Sequence, residues 1–179
     1  AQQKPPLGAQ INWSHPLSYG LVGAWIMNEG GGKYIKAINN ASLVDTWNQY
    51  DYLYAGQPIW GLTKKGIGIY CPITADPVFH KVGNFRLNST TKFSVVHAFQ
   101  TLALPGSGAK PILSYASGDY YSGSGFFLAT GHGTIGDLIF GVNGNRVTSS
   151  NNLILVGKVS TICGTYDLAN LKLYADGIF

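Results

Sequence analysis

Along much of the chain apolar and polar residues alternate with a period of two, in short runs broken by turn residues. Leu171, Leu173 and Ala175 fall on one side of an extended segment, with Lys172, Tyr174 and Asp176 on the other. Ile67, Ile69 and Cys71 alternate in the same way with Gly66, Gly68 and Tyr70. The runs predict strands at Leu21 to Met27, Ile67 to Cys71, Lys92 to Gln100, Pro111 to Ala116, Gly125 to Ala129, Asp137 to Val142, Asn152 to Val156, Val159 to Tyr166 and Leu171 to Tyr174. Asn143-Gly144 reads as a hairpin turn, because both residues accept positive φ, and Asp176-Gly177 is a second such signal. Residues 1–16, with Pro5, Pro6 and Pro16, show no apolar period and predict an extended N-terminal arm. Ile11 and Trp13 on that arm call for a surface to cover them, on the chain's own domain or on a neighbouring subunit. Between Tyr34 and Trp60, aromatic residues interleaved with Asn, Gln and Asp predict a long, ordered excursion.

Composition sharpens this picture. Charged residues are 11% and hydrophobic ones 45%, a balance that poorly supports intrinsic disorder. Glu29 is the one glutamate and Met27 the one methionine, against 24 glycines and a wealth of Val, Ile, Thr, Tyr and Phe. That mixture suits strands and turns far better than helices. The expectation is an all-β, antiparallel sandwich of one domain over residues 17–179, preceded by the arm. The net charge of +4 is spread over ten scattered lysines, Arg86 and Arg146, so no nucleic-acid face is expected. No run of about eighteen apolar residues exists, and no membrane partner is expected. Cys71 and Cys163 lack any metal-ligand spacing and read as buried thiols, their redox state left open.

Three segments carry a family likeness. GLVGAWIMNEGGG at 20–32, TKFSVVHAFQT at 91–101 and VSTICGTYDLANLKLYADGIF at 159–179 resemble, in this order, strands of the concanavalin A-like lectin/glucanase superfamily, specifically its laminin-G-like jelly-roll modules. The opening HPLSYGLVGAWIMNEGGG behind a Pro-rich arm is further similar to laminin-G-like proteins of tailed bacteriophages. The resemblance implies a virion surface component, used for capsid decoration or on an appendage, with other virion proteins as partners through the arm. A homo-oligomer is compatible with it. That family continues past the Tyr-x-Asp-Gly turn with further strands, which are lacking after Phe179, so a partner strand or the arm would have to complete the sandwich.

The chemistry expected is binding, not bond breaking. Glycan hydrolysis needs two carboxyl groups across the scissile bond, and the Glu, Asp and Glu on alternate positions of one strand that the resemblance implies for the superfamily's laminarinase-like branch cannot be built with one glutamate. Ser122-Gly123-Ser124-Gly125 lacks the pattern of a nucleophile elbow. His97, between Phe93, Val95 and Phe99, reads as a core histidine. Asp119, Asp137, Asp167 and Asp176 sit near strand ends, where turn formation competes with calcium ligation; no other cofactor is implied. Carbohydrate needs exposed aromatic faces beside hydrogen-bonding groups. Asp119, Tyr120, Tyr121 and Ser122 offer these in one turn, and Tyr50, Asp51 and Tyr52 offer them in the long excursion. The expected role is therefore a non-catalytic, lectin-like virion protein that meets host-surface glycan. A capsid cement protein and a glycan hydrolase or lyase remain the alternatives.

Overall fold

The computed structural model describes residues 4–6, 8–31, 34–39, 44–48, 59–70, 79–82, 91–102, 110–117, 124–130, 136–149 and 153–177. Among the described residues the regular structure is antiparallel β, apart from one 3-10 turn at Pro16–Ser18. The contacts divide the chain into two compact units, Ala1–Phe85 and Arg86–Phe179.

In the first unit β1 (Tyr34–Lys36) and β2 (Val44–Asn48) pair antiparallel, β3 (Ile59–Thr63) and β4 (Gly66–Tyr70) form a hairpin, and β5 (Phe79–Val82) joins the far side of β2. The N-terminal stretch is tied to this unit. The Lys4 backbone N–H donates to Lys65 O (2.9 Å), and its Nζ donates to Ile67 O (2.7 Å) and Met27 O (3.2 Å). Asn28 Nδ2 donates to Pro5 O (2.8 Å). Lys4 and Pro5 are thus held by their own chain.

The strand expected over Leu21 to Met27 does not form. Trp25 makes one isolated antiparallel bridge to Ala37 and is half-buried outside any strand. The reason is local competition for the backbone. The Asn39 side chain accepts from Ala24 N–H (2.9 Å) and donates to Val22 O (3.0 Å), and Met27 turns to a φ of 58°, which ends the extended run. The excursion from Tyr34 to Trp60, conversely, contains β1, β2 and the start of β3.

The second unit is two sheets over one apolar core. β6 (Phe93–Gln100), β11 (Val159–Tyr166) and β12 (Leu171–Ala175) form one sheet in the order β12-β11-β6. β7 (Lys110–Ser117), β8 (Ser124–Thr130), β9 (Leu138–Val142) and β10 (Asn145–Thr148) form the other, in the order β10-β9-β8-β7. Period two decides what each sheet offers: Val95, Ile162, Leu173 and Ala175 from the first meet Phe126, Leu128, Leu138, Phe140 and Val142 from the second. Leu128, Leu138, Phe140 and Ile162 are wholly shielded from solvent. Burying each stabilises the fold by roughly 1.5–3 kcal/mol.

The half-buried Phe93 packs against this core, with ring centroids 5.5 Å from Phe126, 5.7 Å from Tyr166 and 6.3 Å from Phe140. The Phe140 pair is edge-to-face, as the ring quadrupoles favour. Gly164 of β11 stands in register between Val95 and Leu173, and the Phe140 ring fills the space where a side chain would be. The reverse side of β8 and β9 is buried too, at Phe127, Ala129 and Ile139, so β9 is apolar along its full length.

The predicted alternation over 171–176 holds, with Leu173 and Ala175 buried and Lys172 outward. Asn143 (φ 50°) and Gly144 (φ 79°) make the expected two-residue turn between β9 and β10. The expected strand over Asn152 to Val156 is a non-strand segment over its described residues. Ile154 is buried there with one backbone bond to Gly136 O, and Lys158 N–H closes a turn onto Leu155 O. Cys163 is half-buried on the outward row of β11, not a core thiol, because Ile162 and Gly164 occupy the inward positions; Cys71 lies outside the described residues.

Candidate functional site

The two tyrosine clusters singled out for carbohydrate, Asp119, Tyr120, Tyr121 and Ser122, and Tyr50, Asp51 and Tyr52, lie outside the described residues. The frame that carries the first cluster is described. β7 and β8 stay paired out to Ser117↔Ser124, so the connection holding Asp119–Ser122 leaves and rejoins the four-stranded sheet at adjacent points. The β9–β10 turn lies at the same end of that sheet. Asn143 N–H donates to Gly125 O (2.8 Å), and Asn143 Oδ1 accepts from Gly125 N–H (3.0 Å). This double bond locks the turn to the root of β8. Asn143, Gly144, Asn145 and Arg146 are exposed there.

One rim of the four-stranded sheet therefore holds Ser117 and Ser124, the residues nearest the 119–122 cluster that are described, close to the exposed Asn143-Gly144 turn and to Asn145 and Arg146 at the start of β10. Aromatic faces stack on the apolar side of a sugar ring, while amides and a guanidinium can bond its hydroxyls. The sequence marks Asn143-Gly144 as a turn but carries no sign that it lies beside Gly125 at the root of β8. That neighbourhood depends on β8 lying between β7 and β9.

Two of the aspartates near strand ends, Asp167 and Asp176, have structural work. Asp167 Oδ1 accepts from Ala169 N–H (3.0 Å) and Asn170 N–H (2.6 Å), closing the β11–β12 turn in the manner of an Asx turn. The Asn170 and Ala169 amides hold its carboxyl below the usual aspartate range. Asp176, at φ 51°, accepts from Thr161 N–H (2.7 Å) and pairs with Lys158 Nζ (2.7 Å). The bond from Lys158, then that from Thr161, lowers its pKa as well. Asp137 is buried at the entry to β9, and Asp119 is outside the described residues. Among the described residues no three of His, Cys, Asp and Glu converge as a metal site.

His97 lies on the inward row of β6 and stacks on Phe99, with centroids 6.2 Å apart and planes 21° from parallel, in line with a core histidine. Glu29 is half-buried in the first unit, beside a turn at Gly30 (φ 76°) and within electrostatic reach of Lys4. No helix among the described residues is long and apolar enough to cross a membrane. No family model, curated protein or solved structure matches the chain.

Proposed function

We propose that the chain is a non-catalytic, lectin-like virion surface protein of a bacteriophage, whose two-sheet unit belongs to a concanavalin A-like, laminin-G-like jelly roll. One observation carries this reading. The rim of the β10-β9-β8-β7 sheet brings Ser117 and Ser124, which bracket the candidate residues Asp119–Ser122 in sequence, close to the exposed Asn143-Gly144 turn, and polar groups there suit the bonding of sugar hydroxyls. Further support comes from the segments that carry the family likeness. The stretches 91–101 and 159–179 supply neighbouring strands of one sheet, β6, β11 and β12, and the Tyr174-x-Asp176-Gly177 turn closes on Thr161 through Asp176. Such binding is weak at each site, and many copies on one particle would raise avidity without new contacts.

The test is an array of host-surface polysaccharides probed with the intact chain and with Tyr120→Ala and Tyr121→Ala. Losing one stacking face should weaken binding about threefold to tenfold. Absence of binding to every polysaccharide would refute the lectin reading and leave a cement role as the better account.

A further inference from the structure

Residues 12–20 form a knob tied by hydrogen bonds within the segment. The Asn12 side chain accepts from Ser14 N–H (3.1 Å) and Ser14 Oγ–H (2.6 Å), and His15 N–H donates to Asn12 O (3.1 Å). His15 in turn caps the 3-10 turn, its Nδ1 accepting from Leu17 N–H (3.2 Å). The buried Ser18 acts as the internal clip, its Oγ bonding to Trp13 O (3.0 Å) and His15 O (2.8 Å). This network orders the backbone while its large apolar side chains face water: Trp13 is 60% exposed, Leu17 84% and Tyr19 96%. A chain that ordered this segment for its own core would place those side chains inward, so the knob is pre-organised for an outside contact.

We infer that this knob docks on the same knob of a second copy, giving a two-fold dimer through Trp13, Leu17 and Tyr19. Two features select that occupant. Residues 5–28 carry no Asp, Glu, Lys or Arg, so although the chain bears a net charge of +4, the patch can face itself without like-charge repulsion. The same lack of Lys and Arg leaves it without the cationic flank by which amphipathic segments hold anionic lipid. The second feature is area. Aromatic side chains bury about 150–250 Å² each, so the exposed parts of two of them with a leucine supply at most roughly 500 Å² per copy. A symmetric pair would then bury at most about 1,000 Å², at the lower end of specific interfaces. A C2 contact is self-complementary by construction, so one patch suffices. The dimer is expected to be weak and reversible, and it does not depend on the glycan reading.

Sedimentation velocity of the intact chain across a concentration series up to about 1 mM tests it, since a minimal interface of this kind associates in the micromolar range or more weakly. The weight-average mass should rise from 19.2 kDa toward twice that value. Trp13→Ser with Leu17→Ser and Tyr19→Ser should abolish the rise, whereas Leu155→Ser with Val156→Ser, also exposed but outside the knob, should leave it intact. Should the triple variant lose its strand circular dichroism, Tyr19→Ser alone replaces it and must reduce association at least threefold. A mass fixed at 19.2 kDa, an undiminished rise in the folded knob variant, or binding of the knob by a different particle protein in place of self-association would overturn the inference.

Discussion

Gly164→Ala tests the feature on which the two-sheet unit depends, the meeting of β11 and β9 across the core. A Cβ built on Gly164 would lie 2.5 Å from Phe140 Cδ2, 2.6 Å from Cγ and 2.7 Å from Cε2. Carbon atoms prefer about 3.5–4.0 Å, so the new methyl intrudes by about 1 Å on three ring atoms at once. The ring has little room to retreat, since Phe140 is fully buried and packed edge-on against Phe93. Overpacking of this kind costs about 1–3 kcal/mol. Alanine recovers about 0.5–1 kcal/mol of that, because glycine loses more backbone freedom on folding. A net loss of about 1–2 kcal/mol is expected, lowering a urea midpoint by about 0.5–1 M for an ordinary m value.

The assay must read the correct unit. Trp13, Trp25, Trp47 and Trp60 all lie within Ala1–Phe85, so tryptophan fluorescence reports on that unit alone. Hydrogen exchange of peptides covering 136–142 and 159–166, followed against urea, reports on the other. Shortening the ring by Phe140→Leu in the Gly164→Ala background should relieve the clash, so the double variant should lose less stability than the two single losses added, by about 1 kcal/mol. Strict additivity, or a Gly164→Ala effect within about 0.5 kcal/mol, would mean that the two strands do not face each other as described.

Two further predictions concern the charged clips. The Asp176 carboxyl is lowered below 3.8 in the folded chain by Lys158 and Thr161, so its stabilisation is present above that value and fades as pH falls through the lower folded pKa. Asp176→Asn should remove a contribution on the order of 0.5–1 kcal/mol at pH 7 and flatten the loss of stability between pH 4 and pH 2 by about that amount; an acid limb as steep as in the parent would refute it. Lys4→Ala removes the donor to Ile67 O and Met27 O, and should destabilise the first unit by about 1 kcal/mol, read by tryptophan fluorescence in urea. Burial lowers the Lys4 ammonium below 10.5, the Glu29 charge opposing this, so the unfolded chain binds the proton more tightly. The parent's stability should therefore rise slightly with pH through the window just under 10.5, and a fall there would contradict this account.

Much of the strand pattern was legible because its signals are local. Period two over 159–166 and 171–175 needs no knowledge of a partner, and Asn143-Gly144 carries its positive φ in two adjacent residues. The failures were local in appearance only. Residues 21–27 look like a strand, yet Asn39, more than ten residues away, takes their backbone groups. Val44–Asn48 and Phe79–Val82 look too polar or too short alone, and become strands by pairing with each other over a separation the sequence does not reveal. The clusters Asp119–Ser122 and Tyr50–Tyr52 are candidates for sugar on composition alone, which identifies residue types able to stack on a sugar ring and says nothing of where they lie.

Residue order alone therefore decides that this chain is antiparallel β with few helical possibilities, since propensity and alternation act within a few residues. Folding in three dimensions decides the rest: that Phe140 fills the gap at Gly164, that Asn143 locks onto Gly125 at the root of β8, and that Trp13, Leu17 and Tyr19 are turned outward. The physical reason is that packing and hydrogen bonding join residues distant along the chain. Their energies depend on ångström-scale separations, which no local pattern encodes.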